Sequence, residues 1–199
     1  MALIELLDGT RDLRYGKSLT KSFAELAKYQ NVQLTSAPGS IDIPRYNIVK
    51  DAESHSYNPT RNQINIELLL DNLLNNQKLD LTGGKSFTLT ESDLYGGNLN
   101  WCFGAVLSDG YGGEHLIMST YRLNDSNFLA LVATHELGHM FGAASPGRKN
   151  TEENLGSHCT NLCVMQQKLS VPAMKDHSMH LAYKKDKFCP DCISELKNY

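Results

Sequence analysis

One short segment, HELGH at residues 135–139, constrains this chain more than any other. Its two histidines, His135 and His139, are four residues apart. In an α-helix that spacing puts both imidazoles on one face, about one turn apart. Two neutral imidazoles at such a separation match two corners of a tetrahedral zinc site. Glu136 lies beside the first histidine, where it can reach a water molecule on the same metal. The segment therefore predicts a helix that carries two metal ligands and an acid–base residue.

This pentapeptide pattern is weak by itself, because it occurs by chance in many helices. The alternative is an exposed helix with two solvated histidines and a charged neighbour. The preceding residues, FLALVAT, are apolar and favour a buried helix, in which histidines need a partner that a metal supplies. Gly142 follows at the position where the chain has to turn sharply to bring a third ligand to the metal.

A catalytic zinc site needs a third protein ligand. The extended pattern HExxHxxGxxH would place a histidine at position 145, but that residue is Ser145. His158, in the segment GSHCTNLCVM, is the favoured candidate. The other histidines are more distant candidates (His177 and His180) or are expected to be surface or structural residues (His55 and His115).

Four of the five cysteines cluster in the C-terminal tail, as a CxxxC pair and a later CxxC pair: Cys159, Cys163, Cys189 and Cys192. This pattern is typical of a structural zinc site, in which four thiolates close the tetrahedron and leave no open position. The tail has few large apolar residues, so a metal would contribute folding energy that its core cannot. Two disulfides, 159–163 and 189–192 or a crossed pair, are the alternative. Cys102 is expected to be a small buried apolar residue.

Taken together, these motifs resemble those of the archaemetzincins, zinc metallopeptidases of the metzincin clan. The matching segments are HELGHMFG, the pair His158–Cys159, the triplet Cys163-Val-Met165, and Cys189-Pro-Asp-Cys192. Upstream, four segments occur in the family's order: RNQINIELLLDNLL (61–74), TESDLY (90–95), NLNWCFG (98–104) and STYRL (119–123). The resemblance therefore covers roughly residues 58–192.

The resemblance implies a role for each of these residues. The catalytic zinc would be held by His135, His139 and His158, with Glu136 as general base and acid. Met165 would be the Met-turn residue, an apolar floor beneath the zinc. A second, structural zinc would be held by Cys159, Cys163, Cys189 and Cys192. The strand 115–120 would resemble the upper-rim edge strand that pairs with an extended substrate.

The spacing departs from the family pattern in three places. Fifteen residues separate Gly142 from His158, where the family has two. Three residues separate the first two tail cysteines, where the family has four, and 23 separate Met165 from Cys189, where it has about seventeen. The extra segment, ASPGRKNTEENLG, can loop out because loop-closure entropy grows slowly with length. It either lines the substrate cleft or forms a neutral surface loop.

Hydrophobic periodicity predicts an α/β (α+β) fold, in which a twisted mixed sheet packs on two long helices, 65–79 and 125–142. The resemblance implies that this fold is metzincin-like. A further helix is expected over 18–29, and strands over 31–34, 86–89, 100–107 and 115–120, the last two antiparallel. Residues 35–61 are expected to be mostly loop, with one strand near Ile48. A change of composition at Gly142 predicts a catalytic subdomain, residues 1–142, followed by a small irregular zinc-stapled subdomain, residues 143–199.

Composition and charge exclude several classes of function. The formal net charge is -3, so no basic field marks a nucleic-acid binder. No stretch approaches the roughly 20 apolar residues of a transmembrane helix. The N-terminal segment does not match a secretory signal, because Glu5 and Asp8 interrupt its apolar run. We therefore expect a cytoplasmic protein that acts on a peptide or protein substrate, without nucleic-acid or membrane partners.

The predicted function is zinc-dependent hydrolysis of peptide bonds by metal-activated water, with two zinc sites and with Glu136 as general base and acid. One alternative is a zinc-containing binding or regulatory protein with little or no peptidase activity, against which the intact glutamate argues. A second is a zinc-ribbon nucleic-acid binder built on the four cysteines, against which the net charge argues.

Overall fold

The structure of the protein is a computed structural model that describes residues 1–10, 12, 14–40 and 42–199. Its strands are β1 (Ala2–Asp8), β2 (Val32–Leu34), β3 (Tyr57–Asn58), β4 (Gln63–Asn65), β5 (Lys85–Thr90), β6 (Leu94–Gly96), β7 (Leu99–Cys102), β8 (Gly104–Ser108), β9 (Glu114–Ser119), β10 (Thr151–Glu153) and β11 (Ser157–Cys159). Its helices are α1 (Arg14–Leu26), α2 (Ile43–Ser56), α3 (Ile66–Leu74), α4 (Ser126–Met140), α5 (Val171–Ala182) and α6 (Pro190–Asn198).

The chain forms two compact units. The sheet unit consists of Met1–Lys17 and Val32–Asn124, and the helical unit consists of Ser18–Asn31 and Asp125–Tyr199. The helix that carries HELGH therefore lies in the same unit as the cysteine-rich tail. The subdomain boundary at Gly142 stays a prediction, because these units describe packing and not the subdomains of a metzincin.

The sheet unit is built on a five-stranded mixed sheet in the order β2-β1-β5-β9-β8. The first four strands are parallel, and β8 runs antiparallel to β9. A second sheet has the order β3-β4-β6-β7. One core cluster of this unit is aliphatic, and α2 packs against both α3 and β1. The predicted mixed α/β class is confirmed.

The edge strand of the main sheet is not the segment 115–120 that the resemblance implied. The segment 115–120 forms β9, which pairs with β5 on one side and β8 on the other, so the prediction that it is an edge strand is wrong. The turn-rich connector SDGYGG folds β8 back onto β9, and β8 takes the edge position instead. The predicted strand over 100–107 is also divided at Phe103 into β7 and β8, which belong to different sheets.

Helix α2 was not expected, because residues 35–61 have the composition of a loop. The side chain of Asp42 caps the helix by accepting a hydrogen bond from the backbone N–H of Arg45, and Pro44 lies in its first turn. Its buried face contains the polar side chains of Glu53 and Ser56 beside only three apolar ones, which obscures the helical period. Helix α3 is shorter than the predicted 65–79 and ends at Leu74, where Asn75 caps it.

In the helical unit, α1 and α4 are joined by hydroxyl groups. Ser18 and Ser22 on α1 donate hydrogen bonds of 2.8 Å to the backbone carbonyls of Ser126 and Ala130 on α4. The tail that was expected to be irregular contains the hairpin β10–β11 and the helices α5 and α6. None of the described helices is long and apolar enough to cross a membrane.

Candidate metal centres

The HELGH segment occupies the last turns of a well-capped, buried helix. Asp125 begins α4 by accepting hydrogen bonds from the backbone N–H groups of Asn127 and Phe128. The helix ends in a Schellman motif at Gly142, whose φ is 72°. In this motif the N–H of Gly142 donates to the carbonyl of His139, and the N–H of Ala143 donates to the carbonyl of Gly138. The cap and the Schellman turn fix both ends of the helix that carries the two histidines.

Three imidazoles converge at the end of this helix. The ring centroids of His135 and His139 are 4.7 Å apart, and the ring of His158 lies 5.3 Å and 5.0 Å from them, respectively. The side chains of His135 and His158 are buried, and His139 is partly exposed. The structure thus brings together the three histidines that the sequence singled out.

Backbone carbonyls fix the orientation of two of these rings. Nδ1 of His135 donates a 2.7 Å hydrogen bond to the carbonyl of Val164, and Nδ1 of His158 donates a 3.1 Å bond to the carbonyl of Gly156. Since a carbonyl can only accept, the proton of each neutral ring is on Nδ1 and the lone pair is on Nε2. This is the arrangement that protein zinc sites use to hold a histidine ligand in one tautomer.

The geometry of the three histidines fits a zinc ion. Their ligand nitrogens all lie within 4.8 Å of one another, and the Nε2 atoms of His135 and His139 are 3.1 Å apart. Adjacent corners of a tetrahedron with Zn–N bonds of 2.0–2.1 Å are about 3.3 Å apart. Burial lowers the pKa of His135 to about 4, and that of His139 well below its usual value. The imidazoles are therefore neutral near pH 7, as metal ligands must be.

Glu136 follows His135 on α4 and has an unusual protonation equilibrium. Burial raises the pKa of its carboxyl group to about 7, although the side chain keeps partial access to solvent. Its carboxylate accepts no hydrogen bond from any group in the described part of the chain. A carboxyl group with a pKa near neutrality can both accept and return a proton at physiological pH.

Met165 lies directly against the histidine helix, at Gly138. It is fully buried, and a Cβ atom placed on Gly138 would be 2.3 Å from the Met165 sulfur and 3.0 Å from the ring of Phe188. Only glycine therefore lets the thioether approach the helix between His135 and His139. The resemblance predicts an apolar floor beneath the metal at this residue, and that role stays a prediction.

The four tail cysteines form a second cluster that fits a metal ion. All of them are free thiols, so neither of the disulfide pairings considered from the sequence is formed. Their sulfurs lie within 4.8 Å of one another, and those of Cys159 and Cys189 are 3.7 Å apart. Adjacent corners of a tetrahedron with Zn–S bonds of 2.3 Å are about 3.8 Å apart. Cys102 lies in the sheet unit, partly buried against its aliphatic core.

Neighbouring amide groups lower the pKa of one of these thiols, which favours the thiolate form that binds metals. Burial alone would raise the pKa of Cys189, but hydrogen bonds from Asn161 and from the backbone of Cys192 lower it to about 7. The pKa of Cys192 is raised by its hydrogen bond with Cys163 and by burial. A cation that replaces the thiol protons would relieve the crowding of negative charge in this cluster.

One strand supplies a residue to each cluster. His158 and Cys159 are consecutive residues of β11, and successive side chains of a strand point to opposite faces. His158 therefore faces the histidine triad while Cys159 faces the cysteine cluster. The fifteen residues before His158 are not one open loop, because they include β10, which pairs with β11 in the register Glu152↔His158.

The remaining histidines have other partners or lie on the surface. Nε2 of His177 contacts the carbonyl of Cys163 at 2.9 Å, and His180 is exposed on α5. His55 is exposed on α2, and His115 is buried in the sheet unit, where its Nδ1 lies 2.9 Å from Ser86 Oγ. None of these four belongs to the group of histidines that converge on α4.

The fold and the two ligand clusters define a class of protein, the zinc-dependent metallopeptidases. The chain matches Peptidase family M54 over residues 26–198, and it belongs to that family. An archaemetzincin of Nanoarchaeum equitans (strain Kin4-M) is 34% identical over 143 residues, which is 72% of this chain and 68% of that protein. The predicted resemblance to the archaemetzincins is confirmed, and at the level of the family the chain is a zinc metallopeptidase.

Solved structures show the same fold. The archaemetzincin of Methanopyrus kandleri matches with a TM-score of 0.66 at 22% identity, over 99% of this chain and 94% of that one. The archaemetzincin of Archaeoglobus fulgidus, solved in complex with malonate, matches with a TM-score of 0.60 at 21% identity, over 97% and 99%. A zinc-dependent peptidase of Methanocorpusculum labreanum matches with a TM-score of 0.63 at 18% identity, over 98% and 100%.

Sequence reasoning did not single out several residues that shape the two centres. Val164 and Gly156 act through backbone carbonyls, which leave no signature in residue type. Gly138 could have been noticed, because a glycine inside a helical pattern often marks a close approach. Glu195, on α6, contacts the segment that follows the histidine helix, and only the folded chain brings them together.

Proposed function

We propose that this protein hydrolyses peptide bonds at a zinc ion held by His135, His139 and His158, with Glu136 as general base and general acid. The observation that carries the proposal is the convergence of three buried or partly buried imidazoles at the end of the helix that also carries Glu136. The cluster of Cys159, Cys163, Cys189 and Cys192 would hold a second zinc with a structural role.

When bound, the zinc supplies Lewis acidity that activates a water molecule and polarises the carbonyl group of the substrate. In the step that follows, a carboxylate oxygen of Glu136 accepts a proton from the attacking water. Glu136 then delivers that proton to the nitrogen of the leaving amine, so the side chain returns to its starting state.

The other residues of the site hold the ligands in place. The carbonyls of Val164 and Gly156 keep the Nε2 lone pairs of His135 and His158 directed at one point. Met165 excludes water from the underside of the helix, where it packs against Gly138. A peptide or protein is the substrate class that the family supports.

The role of Glu136 is tested with Glu136→Gln, which keeps the shape of the side chain but removes the base. We expect hydrolysis of a mixed peptide library to fall by about 100- to 10,000-fold, with zinc content unchanged. Glu91→Gln, an exposed residue of the sheet unit, is the matched control and should retain full activity. Unchanged hydrolysis by Glu136→Gln would exclude it as the base.

The ligand assignment is tested by the zinc content per chain. The two clusters predict two zinc ions in the wild type, falling toward one in His158→Ala. Two ions retained at full affinity in His158→Ala would exclude that histidine as a ligand. Two ions bound by a wild type that cleaves no peptide of the library would favour the alternative of a zinc-containing binding protein.

A further inference from the structure

The segment between the histidine helix and His158 begins in an anion-binding turn. Gly142 and Ala144 both have left-handed backbone conformations, with φ values of 72° and 60°. The backbone N–H groups of Ala144 and Ser145 both point at the carboxylate of Glu195, at 2.8 Å and 3.1 Å. A left-handed backbone conformation at an alanine costs about 1–2 kcal/mol of conformational energy. The turn at Ala144 therefore needs a stabilising partner. Charge-assisted bonds to a carboxylate can do so.

Arg148 extends this contact toward the cysteine cluster. Its guanidinium forms an ion pair with Glu195, and the side chains of the two residues are only 15% and 18% exposed. Its Nη2 also donates a 3.4 Å hydrogen bond to the sulfur of Cys192. Glu195 and Cys192 are both on α6. The first residues of the segment are therefore fastened to the helix that carries a structural metal ligand.

The middle of the segment is fastened at a second point. The side chain of Asn150 donates a 2.6 Å hydrogen bond to Asp191 at the start of α6. The carbonyl of Asn150 accepts a 2.9 Å bond from the N–H of Thr160, which directly follows Cys159. This bond sets the spacing between the start of β10 and the end of β11.

Near its end, the segment 143–157 contains Gly156, whose carbonyl orients the ring of His158. Strand β10 pairs with β11 so that Glu152 faces His158, and the turn between the strands places the Gly156 carbonyl 3.1 Å from Nδ1 of His158. The chain of contacts thus runs from Glu195 to Arg148, whose carbonyl accepts hydrogen bonds from Thr151 at the start of β10, and on to the hairpin and the imidazole. A neutral surface loop would not need these fixed points.

From these contacts we propose that Glu195 is a positioning residue for the third zinc ligand. By fastening residues 144–148 to α6, it fixes the hairpin β10–β11 and so the position of His158 Nε2. The segment 143–157 is then a spacer that replaces a short direct connection between Gly142 and the third ligand. This inference rests on the proposed role of His158 as a ligand.

The test measures metal binding rather than peptide hydrolysis. Co²⁺ is loaded into the full-length protein, because its thiolate charge-transfer bands report the cysteine site alone. The d–d absorption that develops without those bands as Co²⁺ is added therefore reports the histidine site. We expect Glu195→Gln to lose about tenfold in affinity at the histidine site, at the lower end of the effect of removing an outer-shell partner. Its d–d bands should change, while the charge-transfer bands stay at full intensity. Ser194→Ala, an exposed neighbour on α6, is the control and should match the wild type.

Glu195→Asp and Ser145→Ala are the second variants, in case Glu195→Gln does not fold. Both keep a negative charge at the turn, and we expect a smaller loss of affinity from each, in the same site. Unchanged affinity and d–d bands in the folded variants would overturn the proposal. A loss of affinity at the histidine site that appears only together with a loss of the charge-transfer bands would also overturn the proposal. Glu195 would then act on the histidine site only through the cysteine site.

His158→Ala separates this inference from the function on which it rests. If His158→Ala keeps the full affinity of the histidine site, the ligand assignment itself fails. If His158→Ala loses affinity but Glu195→Gln does not, only the positioning role of Glu195 fails.

Discussion

The substitution Gly138→Ala should destabilise the protein, although a glycine-to-alanine change inside a helix ordinarily does the opposite. Alanine is favoured over glycine in a helix interior by about 1 kcal/mol. At this position the new Cβ would lie 2.3 Å from the sulfur of Met165 and 3.0 Å from the ring of Phe188. Carbon contacts are optimal at about 3.5–4.0 Å, so one of these side chains has to move.

The clash is costly because its partners are enclosed. Met165 is fully buried and Phe188 is 3% exposed, so neither can swing into solvent. Overpacking of this kind costs about 1–3 kcal/mol, and a contact this short places it near the upper end. After the gain in helix propensity, we expect a net loss of about 1–2 kcal/mol.

Urea unfolding of the zinc-saturated protein measures this loss as a lower midpoint at unchanged slope. The double substitution with Met165→Ala is the matched test, because shortening the methionine removes the contact. The loss of unfolding free energy in the double variant should then be smaller than the sum of the two single losses by about 1–2 kcal/mol. A Gly138→Ala protein as stable as the wild type, or more stable, would refute the close packing of Met165 against Gly138.

Three further predictions follow from the same centres. Burial lowers the pKa of His135 to about 4, so in chelator-treated protein the unfolded chain takes up the proton first. The stability that neutral His135 contributes is therefore lost as pH falls from about 6.5 to about 4. In urea unfolding the free energy of unfolding should fall by up to about 3 kcal/mol over that range. His135→Asn should flatten that profile, and an equally steep one would contradict the assignment. Gly156→Ala and Gly110→Ala both introduce a side chain at a left-handed φ (108° and 77°), and each should lose stability. Only Gly156→Ala should also weaken Co²⁺ binding by the histidines, and equal binding in both would exclude the carbonyl of Gly156 as an orienting group. Cys192→Ser should lower the zinc content from two ions per chain toward one, and a full complement in mass spectrometry would argue against the cysteine site.

Much of the candidate site could be predicted because its signals are local in the sequence. Helix α4 combines an apolar run with a capping aspartate, and helical geometry alone places His135 and His139 on one face. The adjacency of His158 and Cys159 linked the two sets of ligands through the resemblance. These features depend on residue type and short-range spacing, which a sequence displays directly.

The features that were missed depend on contacts between distant residues. Helix α2 has a mixed buried face, so the sequence carries no clear helical period there. The edge position of β8 is decided by which strands pair, and periodicity within one strand carries no information about its neighbours. The segment 143–157 is shaped by Glu195, some fifty residues away in sequence, and by backbone groups that every residue has.

The two-sided strand β11 places an unusual constraint on variation in this chain. The segment between Gly142 and the hairpin can change in length, provided that β11 still places His158 and Cys159 at their two clusters. The order of that pair is not free, because a slip of one residue turns every side chain to the opposite face. Exchanging His158 and Cys159 would leave the composition and net charge untouched. It would nevertheless present a thiol to the histidines and an imidazole to the thiols, so that both centres lose a matched ligand in a single step.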